Sequence, residues 1–249
     1  MFLNPDLDQA YFDADNTVIN VRKSEYEAFL YCFKEMFGIE LSLAEVSKIT
    51  EYKIVKSLPI LLNKYSITPA QPLEELVKTF LDIRREFIVR PENLCLIKPA
   101  DGVLELLKNL KYMRVKTAIV TNSKTKKITK MLESVGLLEY FDTIKGNLDD
   151  DTFQPKPSPQ GLILAQEELA QRSFSRREFM ESKSLFFGDN LRDGTAVRTL
   201  NKLRQSEGYK HNMKFVGIDL RDTGRTNTEE AISRLQSDYY IGNFTHIQV

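Results

Sequence analysis

The sequence predicts an α/β fold: a Rossmann-like three-layer core with a mostly parallel sheet, into which an all-helical domain is inserted. Three features of the 249 residues predict it. A strand pattern stands alone near the start, a long stretch of purely helical pattern follows, and strand and helix patterns then alternate to the end. Repeated β-α-β units give a parallel sheet with helices on both faces, and the length suffices for such a core with a smaller insertion.

The isolated strand and the helical block set the domain boundaries. Residues Ala10–Ala14 are typical of a short buried strand that ends in polar residues. The stretch that follows, from about Val21 to Cys95, contains helical patterns and no convincing strand pattern. We therefore expect a core made of residues 1–20 and 96–249 and a helical domain of residues 21–95.

The first helix of the block shows its own start signal and a buried face. Ser24, with Glu27 three residues later, is a plausible capping box. Aromatic side chains then recur at three- and four-residue spacing at Tyr26, Phe29, Phe33 and Phe37. Such a stripe predicts the core of the helical domain rather than a stacking surface for a ligand.

After Pro99 the elements alternate. The helical segments are 102–110, 125–136, 158–171 and 192–205, and the strand segments are 116–122, 141–146, 184–189, 214–219 and 239–242. In the third of these helices, Ser158 and Pro159 have the residue types favoured at the N-cap and the first helical position. The strands would join Ala10–Ala14 in one sheet.

Composition narrows the class of protein. Hydrophobic residues make up 42% and charged residues 28%, and Lys plus Arg equal Asp plus Glu at 35 each. This balance argues against a dedicated nucleic-acid binder, and no apolar run approaches the roughly 20 residues that span a membrane.

Cys32 and Cys95 lie far apart without metal-ligand spacing, so we expect both to be buried thiols in a cytoplasmic protein. Because the strand pattern at Ala10 begins so early, we expect no cleaved signal peptide before it.

Polar residues gather in four places where predicted strands end. In order along the chain they are Asp13 with Asp15, Thr121 with Asn122, Lys156, and Asp189 with Asp193. Each cluster alone has a simpler explanation, such as a turn, a helix cap (for which Asp189 is suited) or a solvated lysine. Because the carboxyl ends of parallel strands meet at one edge of the sheet, we expect the four clusters to form one site.

The chemistry of such a site follows from its charges. Several carboxylates with no His or Cys favour a hard divalent cation, and Mg²⁺ prefers oxygen ligands. A metal ion, a lysine and a hydroxyl together can cradle a phosphoryl group. A carboxylate approaching a phosphate dianion meets repulsion of about 4 kcal/mol per charge pair at 4 Å, or about 8 kcal/mol in all. A cation is therefore needed to bring the two together.

The segments "FDADNTV", "IVTNS", "KPSP" and "FFGDNLRDG" resemble the four sequence motifs of the haloacid dehalogenase superfamily. The resemblance covers the core, about residues 1–20 and 96–249, and is to the family's phosphatases in the group that is similar to phosphoglycolate phosphatase and β-phosphoglucomutase. The helical insertion follows the first motif, where such proteins carry a C1-type helical cap. One departure is Asn16, where the family usually has Gly.

The resemblance implies a role for each motif residue. Asp13 is the implied nucleophile, which forms an aspartyl-phosphate, and Asp15 is the implied general acid and base. Thr121, Asn122 and Lys156 would bind the phosphoryl group, and Lys156 would also offset the charge of Asp13. Mg²⁺ would be held by Asp13, the backbone carbonyl of Asp15, and Asp189, with Asp193 supporting the metal site. The presence of Asp15 disfavours the branch of the family that cleaves carbon–halogen bonds.

The leading hypothesis is thus a Mg²⁺-dependent phosphatase for a small phosphorylated metabolite: a sugar phosphate, phosphoglycolate or a nucleotide monophosphate. A phosphomutase of the β-phosphoglucomutase type, or a catalytically idle protein that binds a phosphorylated ligand, remains an alternative. We expect a monomer or dimer without nucleic-acid or membrane partners. The basic run Lys124, Lys126, Lys127 and Lys130 is predicted to be the solvated face of a helix, and a funnel for anions is the alternative.

Overall fold

The computed structural model divides the chain into two units, Met1–Asn20 with Lys98–Val249, and Val21–Ile97. It describes residues 1, 3, 6–49, 54–147, 154–171, 175–220 and 228–248. The boundary drawn from the sequence, between residues 95 and 96, lies two positions before this division. None of the described helices is both long and apolar enough to cross a membrane.

The first unit is built on six parallel strands. In sheet order they are β5 (Thr143–Asn147), β4 (Lys116–Lys124), β1 (Gln9–Phe12), β6 (Ser184–Gly188), β7 (Lys214–Ile218) and β8 (Tyr239–Ile241). All five neighbouring pairs are parallel, and Phe12 of β1 lies opposite Ile119 of β4 and Phe187 of β6. The central strands are almost wholly buried, which explains their continuous apolar sequences. The predicted α/β class is confirmed.

Helices connect the strands. They are α5 (Val103–Tyr112), α6 (Thr125–Ser134), α7 (Gln160–Ala170), α8 (Arg176–Glu181), α9 (Leu191–Ser206) and α10 (Thr228–Leu235). One core cluster joins strand residues such as Tyr11, Val120 and Phe186 to helix residues such as Leu162 and Val197. The short helices α8 and α10 were not predicted. Neither was the two-stranded antiparallel ribbon of β2 (Ile19–Asn20) and β3 (Lys98–Pro99).

Among the described residues of the second unit, every regular element is a helix. It contains α1 (Arg22–Phe37), α2 (Leu43–Ile49), α3 (Ile54–Lys64), α4 (Leu73–Ile88) and a 3₁₀ helix at Pro91–Leu96. Phe29, Phe33 and Phe80 are buried in its core, and Tyr26 and Phe37 pack against them partly buried. The aromatic stripe of α1 therefore belongs to the core of this unit, as predicted.

Three local predictions were wrong. The first helix begins at Arg22, so Ser24 is a buried residue inside it and not the N-cap. The third predicted helix begins one residue later than predicted. Pro159, and not Ser158, occupies the N-cap, and Gln160 is the first helical residue. Cys32 is buried as expected, but Cys95 is exposed, because it lies in the 3₁₀ helix, which has no buried residue.

Candidate active site

The site lies at the carboxyl ends of β1, β4 and β6, and its lining belongs entirely to the first unit. A cavity of about 720 Å³ opens there. Its lining includes every residue of the four predicted clusters except the buried Asp193, together with Asn16, Ser123, Pro157, Asn190, Leu191, Arg192 and Thr195. The sequence had singled out neither Ser123 nor Asn190.

Asp13 and Asp15 occupy the turn that follows β1. The backbone N–H of Asp13 donates to the carbonyl of Phe187 at 2.8 Å, which continues the pairing with β6 and buries Asp13 beside that strand. Asn16 has φ +59°, a left-handed conformation that favours Gly or Asn. The turn needs a residue that tolerates positive φ, which explains how Asn16 can stand where the family usually has Gly. With this turn, Asp15 lies beside the cavity.

Lys156 connects two buried carboxylates. Its ammonium lies 2.6 Å from Asp13 Oδ1 and 2.6 Å from Asp193 Oδ1, and it donates to the carbonyl of Val120 at 2.9 Å. Burial alone would lower the pKa of Lys156, but the charges of Asp13 and Asp193 raise it above its ordinary value. The lysine is therefore a fixed positive charge at the floor of the site.

The backbone of Lys156 is held by Asn122. Asn122 Oδ1 accepts from the Lys156 N–H at 2.7 Å, and Asn122 Nδ2 donates to the Lys156 carbonyl at 3.0 Å. The paired hydrogen bonds tie the loop before α7 to the end of β4. Contact of Asn122 with phosphate stays a prediction, whereas its positioning of Lys156 is visible in the geometry.

The β6–α9 turn supplies the remaining carboxylates. Asn190 is the N-cap of α9: its side chain accepts from the Arg192 N–H at 2.9 Å, and Asp193 Oδ2 accepts from the Asn190 N–H at 3.2 Å. Asp189, which as a residue type also suits an N-cap, is therefore not the cap of this helix. Asp189 instead accepts from Asn190 Nδ2 at 2.9 Å and lies outside the capping box.

Gly188, the last residue of β6, allows Asp193 to come close. A Cβ atom at this position would lie 2.5 Å from Asp193 Oδ2 and 2.7 Å from Asp193 Cβ. No side chain fits in that space without displacing the first turn of α9. The Gly in "FFGDN" is thus explained by the approach of the carboxylate to the strand.

The carboxylates form a cluster that could hold a metal ion. Asp13, Asp189 and Asp193 each offer an oxygen atom within 4.8 Å of the others. Burial, and then the neighbouring charge of Asp193, raises the pKa of Asp189 to about 7. Burial also raises the pKa of Asp13 well above its usual range, because Lys156 offsets only part of the effect of burial and of the charges of Asp193 and Asp189. A further cation would relieve this excess of negative charge.

Asp15 has two different oxygen environments. Its Oδ2 accepts from the Ser123 hydroxyl at 2.5 Å and lies 3.6 Å from Lys127 Nζ. Its Oδ1 is buried without a hydrogen-bond partner in the described part of the chain. The donor set is all oxygen, and the four carboxylates of the site exceed the two lysines near them. These residues therefore fit a hard divalent cation and an oxygen-rich ligand.

Comparison with known proteins identifies the family. The family of haloacid dehalogenase-like hydrolases matches residues 10–202. The chain is 26% identical over 188 residues to the pyrophosphatase PpaX of Halalkalibacterium halodurans, covering 76% of this chain and 77% of that protein. It is 31% identical over 145 residues to a phosphoglycolate phosphatase of Pectobacterium atrosepticum, covering 58% and 51%.

Solved structures share the fold. A protein described as a predicted phosphoglycolate phosphatase of Haemophilus somnus superposes with a TM-score of 0.69 at 18% identity, covering 96% of this chain and 95% of that one. A subfamily IA hydrolase of Geobacter sulfurreducens gives a TM-score of 0.62 at 19% identity, covering 96% and 93%. At such identities the likeness concerns the fold alone, whereas the family match spans most of the chain. The chain belongs to the haloacid dehalogenase-like hydrolases.

Proposed function

We propose that this chain is a Mg²⁺-dependent phosphatase that hydrolyses a small phosphorylated metabolite through an aspartyl-phosphate on Asp13. The observation that carries the proposal is the position of Asp13, which lines the cavity, contacts the Lys156 ammonium at 2.6 Å and adjoins two further carboxylates. A buried carboxylate with one fixed cation and room for a second matches what nucleophilic attack on phosphorus requires.

In the first half of the reaction, an Asp13 oxygen attacks the phosphorus atom and the bond to the ester oxygen breaks. Asp15 gives its proton to that leaving oxygen, so that a neutral alcohol departs. In the second half, Asp15 takes a proton from water while the water oxygen attacks phosphorus, and the bond between phosphorus and Asp13 breaks. Asp13 returns to a carboxylate and inorganic phosphate leaves.

Thr121 and Lys156 would hold the transferring group. Thr121 is buried at the end of β4 and lines the cavity, and its oxygen accepts from the Ser123 N–H at 3.1 Å. That contact uses a lone pair and leaves the hydroxyl proton to donate to a phosphoryl oxygen. Lys156 would offset charge on the same group from the floor of the site.

Mg²⁺ would be bound by Asp13, Asp189 and the backbone carbonyl of Asp15, with Asp193 holding Lys156 and the first turn of α9 in place. When bound, the ion would supply positive charge that lets a carboxylate approach a phosphate. The fit rests on the clustered oxygen atoms of Asp13, Asp189 and Asp193, and on the raised pKa of Asp13, which Lys156 offsets only in part.

The cavity volume suits a small metabolite, since small-molecule sites measure about 300–1,000 Å³. Sugar phosphates, phosphoglycolate and nucleotide monophosphates are the classes expected from the sequence, and the relative named a pyrophosphatase adds pyrophosphate to them. Within this proposal the helical unit is the C1-type cap that the resemblance implies.

The test measures phosphate released from p-nitrophenyl phosphate by the purified protein with Mg²⁺ and with EDTA. We expect activity only with Mg²⁺, and its loss in Asp13→Asn. Asp101→Asn is the matched control, because Asp101 is an exposed carboxylate of the same unit that lies outside the cavity lining. Activity retained in Asp13→Asn or in EDTA would contradict the proposal.

A second assay separates hydrolysis from the alternatives. Each candidate compound is incubated with the protein and Mg²⁺, and its products are followed by phosphorus NMR. Free phosphate supports the phosphatase, and an isomerised sugar phosphate without free phosphate supports a phosphomutase. Binding without turnover of any compound would indicate an idle phospho-ligand-binding protein.

A further inference from the structure

The side chains of Asp15, Ser123 and Lys127 form a closed triangle at the wall of the cavity. The Ser123 hydroxyl donates to Asp15 Oδ2 at 2.5 Å, and Lys127 Nζ lies 3.6 Å from the same oxygen. Lys127 Nζ also donates to Ser123 Oγ at 3.4 Å. One oxygen of the carboxylate is therefore held from two directions, by the end of β4 and by the first turn of α6.

Lys127 differs from the other lysines of its basic run. Lys126 and Lys130 of α6 are exposed, as expected of a solvated helix face, and Lys124 is exposed at the end of β4 and not on the helix. The Lys127 side chain is only 16% exposed and lies against Asp15. A long charged side chain loses rotamer freedom and hydration in such a position, so its contact with the carboxylate needs a reason beyond solubility.

The second oxygen of Asp15 supplies that reason. Asp15 lines the cavity, and its Oδ1 is buried with no hydrogen-bond partner among the described residues. A buried carboxylate oxygen without a hydrogen-bond donor is energetically unfavourable. Oδ1 therefore indicates a ligand that brings a proton or a hydroxyl group. The triangle thus holds Oδ2 and leaves Oδ1 for that ligand.

Building on the function proposed above, we infer that Ser123 and Lys127 are positioning residues for proton transfer by Asp15. Their contacts with Oδ2 fix the orientation of the carboxylate, and Oδ1 is the atom that exchanges protons. The proton on Oδ1 moves to the ester oxygen as the bond between that oxygen and phosphorus breaks. In the second half of the reaction, a proton of the hydrolytic water moves to Oδ1. Neither Ser123 nor Lys127 gains or loses a proton overall.

The test uses leaving groups of different basicity. A weakly basic leaving group such as p-nitrophenolate departs without a proton, whereas an alkoxide needs one. The rate constant kcat/KM reports only the steps through cleavage of the ester bond. In Ser123→Ala and Lys127→Met we expect kcat/KM for alkyl phosphates to fall about tenfold to a hundredfold, and for p-nitrophenyl phosphate less than about threefold.

Matched variants control for folding and charge. Lys126→Met removes an exposed lysine of the same helix, and Ser134→Ala removes a hydroxyl that donates to the Met131 carbonyl and lies outside the cavity lining. Both should behave as the unmodified protein. Lys127→Arg and Ser123→Thr keep a donor and should recover part of the alkyl phosphatase activity.

Calorimetry should give a dissociation constant for inorganic phosphate within about twofold of the unmodified value in Ser123→Ala and Lys127→Met, because the inference assigns them no part in holding phosphate.

The outcomes are distinguishable. A loss that is equal for alkyl and aryl phosphates, a parallel loss of phosphate binding, or no loss at all would overturn the positioning role while leaving the phosphatase intact. If the unmodified protein hydrolyses none of the phosphates with Mg²⁺, the proposed function fails and this inference fails with it. Should Ser123→Ala not fold, Lys127→Met still decides the question.

Discussion

Lys156 Nζ lies 2.6 Å from Asp193 Oδ1, and the two side chains are 4% and 0% exposed. Asp193 also accepts from the N-cap residue of α9 through its other oxygen. A single buried carboxylate therefore joins the β6–α9 turn to the lysine that contacts Asp13. Because these contacts are shared, structural stability and the charge balance of the site are coupled.

Replacing Lys156 should affect both the stability of the fold and the charge balance of the site. Lys156→Met would leave Asp13 and Asp193 buried without their cation, and breaking a buried ion pair in this way costs about 3–5 kcal/mol. We expect a lower free energy of unfolding in urea and no detectable hydrolysis of p-nitrophenyl phosphate. Lys126→Met, which removes an exposed lysine, should change neither quantity. If Lys156→Met unfolds at the same urea concentration as the unmodified protein, the ion pairs of Lys156 contribute little to stability.

The carboxylate cluster predicts how magnesium acts at different pH. In the metal-free protein the pKa of Asp189 is about 7, and that of Asp13 is also raised. Groups with a higher pKa when folded stabilise the fold below their unfolded pKa, and that contribution is lost as pH rises through the folded pKa. These two groups should therefore make the metal-free protein less stable at about pH 8 than at about pH 5.

Magnesium competes with the same protons, so its stabilising effect should grow with pH. We expect the increase in unfolding temperature on adding Mg²⁺ to be larger at about pH 8 than at about pH 5, as measured by differential scanning calorimetry. Asp189→Asn should reduce the difference between the two pH values. An increase that is the same at both, or larger at the lower pH, would contradict binding by Asp13 and Asp189.

Gly188 should be intolerant of any side chain. In Gly188→Ala the new methyl group would push on Asp193, and overpacking of this kind costs about 1–3 kcal/mol. We expect hydrolysis to fall together with stability, because Asp193 contacts Lys156. Gly136→Ala is the control: Gly136 has φ +68° and no atom near the added methyl, so only backbone strain lowers its stability. Equal activity in the two variants would refute the packing argument.

The strands and the four polar clusters were predictable because a buried parallel strand has a continuous apolar sequence and ends at the ligand-binding edge of the sheet. The cap of α9 was less predictable. Asp189 and Asn190 both suit an N-cap, and only the backbone path decides that Asn190 accepts from the helix. The short helices α8 and α10 were missed because six and eight residues show too little periodicity for recognition.

Tertiary partners were the least predictable feature. Helical spacing places Lys127 beside other lysines of its run, but its ion pair with Asp15 depends on where the fold places α6 relative to the turn after β1. The role of Asn122 was likewise invisible in sequence, since its partner Lys156 lies 34 residues away. Periodicity determines the face of an element, whereas contacts between side chains depend on the packing of several elements together.

Asn122 offers a prediction with a closely matched control. It holds Lys156 by two hydrogen bonds to the backbone, and Asn201 of α9 holds Met213 through the same pair of bonds, away from the cavity. Asn122→Ala and Asn201→Ala each leave a backbone N–H and carbonyl without their partner, at about 1–3 kcal/mol. Similar losses in the free energy of unfolding are therefore expected in the two variants.

Activity should separate them. In Asn122→Ala the backbone of Lys156 loses its anchor, so the ammonium no longer has a fixed position beside Asp13, and kcat should fall about tenfold or more. Asn201→Ala should keep the unmodified kcat when assayed at a temperature where it remains folded. If both variants retain kcat, the contacts of Nζ with Asp13, Asp193 and the Val120 carbonyl suffice to position the lysine. The anchor at Asn122 would then serve the stability of the loop alone.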